Sequence, residues 1–166
     1  MIDRAARDQL SRSLKLLVTG RISNGQFEGS IPETKQDPSI TALADMAWLL
    51  YSDMKEHRLV GRHSIGPGER REVLRWILFL DSDFEYRWPK MPLPGLSPLR
   101  RVRPALTRWL HWPSAISPKQ AAEFLVAGDH SAWPFVSRSE YRHTLANPRR
   151  LAGKQRACAA AATRSE

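Results

Sequence analysis

The chain has 166 residues, of which 42% are hydrophobic, and it carries a formal net charge of +9 at pH 7. This length suits one domain, or one domain with an appendage. Cys158 is the single cysteine, which excludes an internal disulfide and favours a reducing compartment. There is no signal-peptide pattern and no apolar run near the ~20 residues of a transmembrane helix, so we expect a soluble, cytoplasmic protein.

The charge is divided unevenly along the chain. Residues 1–86 have a net charge of −1, and residues 87–166 have a net charge of +10. Such an imbalance describes surfaces and partners more than folds. It indicates that the second half of the chain meets an acidic partner.

The first predicted element is an amphipathic helix from about Asp3 to Thr19, because apolar residues recur along it at helical spacing. Gly20 then suits the left-handed position that follows many helix ends. Ser23 and Gln26 form a capping-box pattern, which predicts a short helix from about Asn24 to Gly29.

Two longer helices are predicted next. Asp37 is a capping acid in front of a proline, and an apolar seam continues the predicted helix to about His57. Glu69 opens a third helix that ends near Ser82 and is apolar on most sides, as a central buried helix is. We expect these three helices and the short one to form an all-α bundle in residues 1–86, and we expect no true sheet anywhere in the chain.

The character of the chain changes after residue 86, because nine of the twelve prolines lie from Pro89 onward. We predict a basic, Pro/Trp-rich helical extension over residues 87–150, packed on the core, with helices near residues 104–111, 117–128 and 137–147. The three Trp-Pro pairs in it are interpreted as packing anchors. Residues 151–166 lack apolar periodicity and are predicted to be a disordered tail.

Two resemblances accompany these patterns. The string LKLLVTGRISNGQFE, near residues 10–30, is similar to the short helical hairpin called SHOCT, although SHOCT segments usually have Glu where this chain has Gly25 and Gln26. The strings GRISNGQFE, AWLLYSDMKEHRLVGRH, RREVLRWILFLDSDFEYRWP and GDHSAWPFVSRSEYRHTLANP resemble a family of small bacterial proteins with no assigned activity. That resemblance implies a free-standing protein in which YSDMKEH and WPF recur, and it transfers no functional residue.

The densest polar cluster lies in YSDMKEHRLVGRH. Asp53 and His57 would share one face of the predicted helix, and His63 follows in the loop. A carboxylate and two imidazoles can bind a divalent metal and support hydrolysis, but this spacing matches no known ligand pattern. The favoured interpretation is an Asp–His hydrogen bond that finishes a helix, so we predict no cofactor and no catalytic residue.

Arginine and tryptophan are interleaved in the second half. The predicted partner-binding residues are Arg100, Arg101, Arg103, Arg108, Trp109, Trp112, Arg138 and Arg142. The favoured hypothesis is a non-enzymatic interaction protein, of adaptor, regulator or immunity type, that binds an acidic macromolecular partner. The alternative is a sequence-independent nucleic-acid binder, since arginine with aromatics can hold phosphates and stack on bases. A metal-dependent hydrolase is the third hypothesis.

Overall fold

A computed structural model describes residues 1–89, 118–151 and 154–155. Its helices are α1 (Arg4–Val18), α2 (Asn24–Gly29), α3 (Pro38–Ala47), α4 (Pro67–Leu80), α5 (Pro118–Val126) and α6 (Arg138–Ala146). Single 3₁₀ turns occur at Trp48–Leu50, Gly61–His63 and His130–Ala132. Two short strands, β1 (Arg150–Leu151) and β2 (Lys154–Gln155), pair antiparallel. None of the helices in the described part of the chain is long and apolar enough to cross a bilayer.

The predicted all-α fold is confirmed, and its centre is α1. Leu10, Leu14 and Leu17 lie on one face of this helix and are fully buried. α1 packs against α2, α3 and α4, and the apolar face of α4 supplies Phe79 and Leu80, which are also fully buried. Strands β1 and β2 form one short β-pair where the sequence predicted a disordered tail to start. The tail from residue 156 lies outside the described residues.

The predicted starts of α2 and α3 are confirmed in detail, whereas α4 begins at Pro67, two residues before the predicted Glu69. The Ser23 hydroxyl accepts a hydrogen bond from the backbone N–H of Gln26. The side-chain carbonyl of Gln26 accepts one from the backbone N–H of Ser23, which completes the capping box. Asp37 caps α3 by accepting from the Ser39 amide. Gly20 has φ +66°, and a Cβ at this position would lie 2.3 Å from Val60 Cγ1, so both the backbone conformation and the close approach require glycine.

The prediction that the second long helix continues to about His57 is wrong. Helix α3 ends at Ala47, one 3₁₀ turn follows, and Tyr51 is extended with φ −149° and ψ 161°. The Asn24 side chain donates hydrogen bonds to the carbonyl oxygens of Ser52 and Lys55, each at 3.2 Å. The Ser52 carbonyl would accept a helical hydrogen bond in a helix that continued to His57, so here a long-range contact takes the place of a helical one.

The C-terminal segment is anchored to the bundle by aromatic side chains. Phe135 is fully buried, and its ring centroid lies 5.1 Å from that of Phe79, at an edge-to-face angle. Trp133, which precedes a cis proline, packs edge-to-face on Trp76 at 5.9 Å. Trp88 Nε1 donates to the Pro134 carbonyl at 3.1 Å. Two of the three Trp-Pro pairs are therefore packing anchors, and the third, at residues 112–113, lies outside the described residues.

An ion pair between Arg7 and Asp37 is buried in this bundle. The two side chains are 0% and 1% exposed, and Arg7 Nε donates to Asp37 Oδ2 at 2.5 Å. Burial by itself would raise the pKa of Asp37, but hydrogen bonds from Arg7 and Ser39 outweigh that effect and hold the pKa below its usual value. The Arg7 guanidinium also lies over the Phe79 ring, 4.9 Å from its centroid.

We expect Asp37→Asn to destabilise the protein by about 3 kcal/mol, because it leaves a buried guanidinium without its counter-charge. Since the pKa of Asp37 is lower in the folded chain, ionised Asp37 contributes stability above about pH 4, and that contribution is lost as the pH falls through the folded pKa. Urea unfolding at neutral pH measures the difference. Asp53→Asn, at an exposed position, is the control, and equal stability of the two variants would contradict the prediction.

Helix α3 also carries a carboxylate, Asp45, that forms no ion pair with the residues that the structure describes. Asp45 Oδ1 is buried and has no hydrogen-bond partner within the described ranges. Burial raises the pKa of Asp45 to about 6. Burial likewise raises the pKa of Tyr86 to about 12, and the negative charge of Asp45 adds to this rise. The fold therefore bears a cost when Asp45 is ionised.

Asp45→Asn is expected to stabilise the protein at neutral and alkaline pH. Because the pKa of Asp45 is higher in the folded chain, the stability linked to its proton is present below about pH 4 and is lost as the pH rises through about 6. Allowing for solvent screening of a partly exposed carboxylate, the gain should be about 1 kcal/mol. Unfolding curves of variant and parent should separate at about pH 8 and converge near pH 4; a constant difference would contradict this.

Candidate functional site

The first candidate site is the loop that follows α3, and Asn24 holds it in place. Asn24 is 3% exposed, and besides its two bonds to carbonyls its Oδ1 accepts from the His57 amide at 2.8 Å. The backbone N–H of Asn24 in turn donates to the backbone carbonyl of His57 at 3.0 Å. Glu56 accepts a hydrogen bond from the Ser23 hydroxyl. The start of α2 thus fixes the conformation of residues 52–57.

The loop brings two of the three predicted metal ligands together. The rings of His57 and His63 lie 4.6 Å apart and are tilted by 45°. They border a surface depression of about 300 Å³, together with Tyr51, Arg62 and Glu69. Because α3 ends at Ala47, the expectation that Asp53 and His57 share a helix face is wrong.

The chemistry of this depression does not favour a cation. Arg62 Nε donates to His63 Nε2 at 3.1 Å, so a ring nitrogen that could bind a metal is engaged by a positively charged group. Burial raises the pKa of Tyr51, and the negative charge of Asp53 adds to the rise. No group of three His, Cys, Asp or Glu side chains that could hold a metal occurs among residues 1–89 and 118–151.

We expect Asn24→Ala to destabilise the protein by about 2 kcal/mol, because three hydrogen bonds to the loop are lost and the freed loop groups gain access to water. Hydrogen exchange of the His57 amide should accelerate more than exchange in α1. The control is Asn147→Ala, whose exposed side chain donates only to its own helix end, at the His143 carbonyl. Unchanged exchange at His57 would contradict the role given to Asn24.

The second candidate site is the basic surface of the C-terminal half. Most of its predicted residues lie outside the described residues, namely Arg100, Arg101, Arg103, Arg108, Trp109 and Trp112. Arg138 and Arg142 are one turn apart on α6, and both are exposed. Arg138 Nε lies 2.9 Å from Asp129 Oδ2 and donates to the Ser131 hydroxyl at 3.0 Å.

Two of the three described acids of the C-terminal half, Asp129 and Glu140, are paired with arginine. Hydrogen bonds from Ser131, and then the charge of Arg138, hold the pKa of Asp129 below its usual value. Glu140 forms an ion pair with Arg87. These pairs involve one arginine each, so the arginine excess of residues 87–166 is not neutralised by the acids of the same half.

Sequence reasoning missed two arginines that the tertiary structure brings near each other, Arg4 and Arg149. Burial lowers the pKa of Arg4, and the positive charge of Arg149 lowers it further. The two residues are far apart in sequence, and neither lies in a recognisable motif. The basic residues around Arg149 were the available signal, but they lie at the end of the predicted extension and do not indicate which residue of the bundle they approach.

Comparison with protein-family models, with curated proteins and with solved structures found no match to this chain.

Proposed function

We propose that this chain is a small, non-enzymatic interaction protein that binds an acidic macromolecular partner through its basic C-terminal half. The observation that carries the proposal is the division of charge, −1 in residues 1–86 against +10 in residues 87–166. A surface with one sign of charge attracts a partner of the opposite sign and raises the rate of encounter. A reducing, cytoplasmic location is part of the proposal and rests on the single cysteine.

The packing of the described residues supports this division of roles. Acids of the first half pair with basic residues of the same half: Asp37 with Arg7, Asp81 with Lys15, and Asp83 with Arg4. In α6 the arginines Arg138 and Arg142 face solvent. The aromatic anchors at Trp133 and Phe135 hold this helix against the bundle. The first half therefore serves as a scaffold that presents the basic half.

Nucleic acid is the second candidate partner. The sequence pI of about 10.4 and the arginines interleaved with tryptophan over residues 100–112 favour it, because phosphates and base faces are bound by such residues. An acidic protein is preferred because no nucleic-acid-binding motif occurs in the sequence.

The test is a fluorescence-anisotropy titration of labelled octaglutamate, duplex DNA and single-stranded RNA with the full chain at several salt concentrations. We expect octaglutamate to bind at low salt and to dissociate as salt rises, because the attraction is screened. Arg142→Glu should weaken that binding about tenfold at low salt.

The matched control is Arg70→Glu, which reverses the charge of an arginine in α4 that is also exposed and lies outside the basic half. It should weaken octaglutamate binding less than about threefold. Equal losses for the two variants would show that only the total charge matters and would overturn the proposed surface. Tighter binding of DNA or RNA, with a steep fall of log K with log salt, would favour the second candidate.

A further inference from the structure

The depression around His57 and His63 has the side chains of an anion site. Its volume is about 300 Å³, and Arg62, Ser52 and Ser64 border it together with the two histidines. A guanidinium is positively charged and only donates hydrogen bonds, an imidazole does the same when it is protonated, and a serine hydroxyl can donate as well. The residue types at this depression therefore suit an anion, in agreement with the contact between Arg62 and His63 that opposes a cation.

Arg62 is an accessible cation at this site. The residue is exposed to solvent. Its Nε is occupied by the hydrogen bond to His63 Nε2, and its terminal nitrogens remain available as donors. Among the described residues, no acid forms an ion pair with Arg62. A ligand can therefore reach this charge without displacing a carboxylate from it.

The acids of this region have other partners or lie outside the depression. Glu69 borders it and disfavours an anion, but Glu69 Oε2 accepts a hydrogen bond from the backbone N–H of Gly66 at 2.6 Å, in the cap of α4. Glu56 accepts one from the Ser23 hydroxyl. Asp53 is not among the residues that border the depression. One carboxylate, which is already engaged, thus stands against one guanidinium and two imidazoles.

The backbone that carries the two imidazoles is fixed in advance. Asn24 binds both the backbone N–H and the carbonyl of His57, and the backbone N–H of His63 donates to the Val60 carbonyl at 3.1 Å. His57 Nδ1 lies 2.9 Å from the Lys55 carbonyl. Because a carbonyl only accepts, this Nδ1 carries a hydrogen and the ring is oriented by it. A site that is already ordered loses less conformational entropy when a ligand binds.

We propose that this depression binds a phosphate group, as the free ion or as a small phosphate monoester, with Arg62 as the main donor. A guanidinium matches the oxygens of a phosphate in geometry and charge, and a tetrahedral anion has further oxygens for the two imidazoles. Leu49 and Ile65 add apolar surface at the border of the depression, which suits the substituent of a monoester. The site lies outside the basic half, so it goes beyond the proposed function and does not depend on it.

The experiment is a titration of the isotope-labelled full chain with inorganic phosphate, phenyl phosphate and acetate at equal ionic strength, followed by NMR. Signals resolved by residue are needed because the basic half also attracts anions. We expect the backbone amide signals of His63 and Ser64 to shift and to saturate with either phosphate compound. Arg62→Gln should weaken this binding about tenfold, because a charged hydrogen-bond donor is lost.

The matched control is Arg71→Gln. It removes the same charge from an exposed arginine of α4 that does not border the depression, and it should weaken binding less than about twofold because solvent and salt screen a distant charge. Both substitutions change exposed side chains, and an otherwise unchanged spectrum shows that each variant is folded.

The outcomes decide both the site and its ligand. Tighter binding of phenyl phosphate than of inorganic phosphate assigns a monoester, and equal or weaker binding of phenyl phosphate assigns the free ion. Shifts at His63 and Ser64 that do not saturate, or equal losses in the two variants, overturn the site. Acetate that binds there as tightly as phosphate overturns the assignment of a phosphate group. None of these results bears on the acidic-partner proposal, which concerns residues 87–166.

Discussion

The buried ion pair between Arg7 and Asp37 organises the junction of three segments. Arg7 belongs to α1, Asp37 starts α3, and the same guanidinium donates to the carbonyls of Ser82 and Phe84 after α4. Buried charges are costly unless they are paired and fully hydrogen-bonded, so these segments are constrained to one mutual arrangement. Removing either charge would leave the other in an apolar setting, which explains why several parts of the fold depend on this pair.

The consequences of that junction extend to the C-terminal half. Because Phe84 is fixed by Arg7, its ring is available to Phe135 at 6.1 Å, and Phe135 is fully buried. Arg75 adds hydrogen bonds to the carbonyls of Trp133 and Ser131 at 2.6 and 2.9 Å. Burial of aromatic side chains thus stabilises the contact between the C-terminal half and the bundle. The hydrogen bonds from Arg75 fix the orientation of the segment that follows Ser131. Arg138 and Arg142 of α6 face solvent.

Two surfaces of the molecule differ in what they offer to a ligand. The depression around His57 and His63 is shallow, and its imidazole–guanidinium contact opposes cations. At the cleft beside the end of α6 the two arginines are each ion-paired, Arg149 with Asp8 and Arg4 with Asp83.

The sequence by itself determined the elements that depend on neighbouring residues. The all-α class, the capping box at Ser23, the proline start of α3 and the glycine at residue 20 were all predicted, because caps and helical periodicity are local physics. The tertiary structure alone decided the course of the chain after α3, where the Asn24 side chain donates to the carbonyls of Ser52 and Lys55. It also decided that Arg7 is buried and that Arg4 and Arg149 share one region. No local pattern reports such contacts, because they join residues far apart in the chain and depend on how the helices pack.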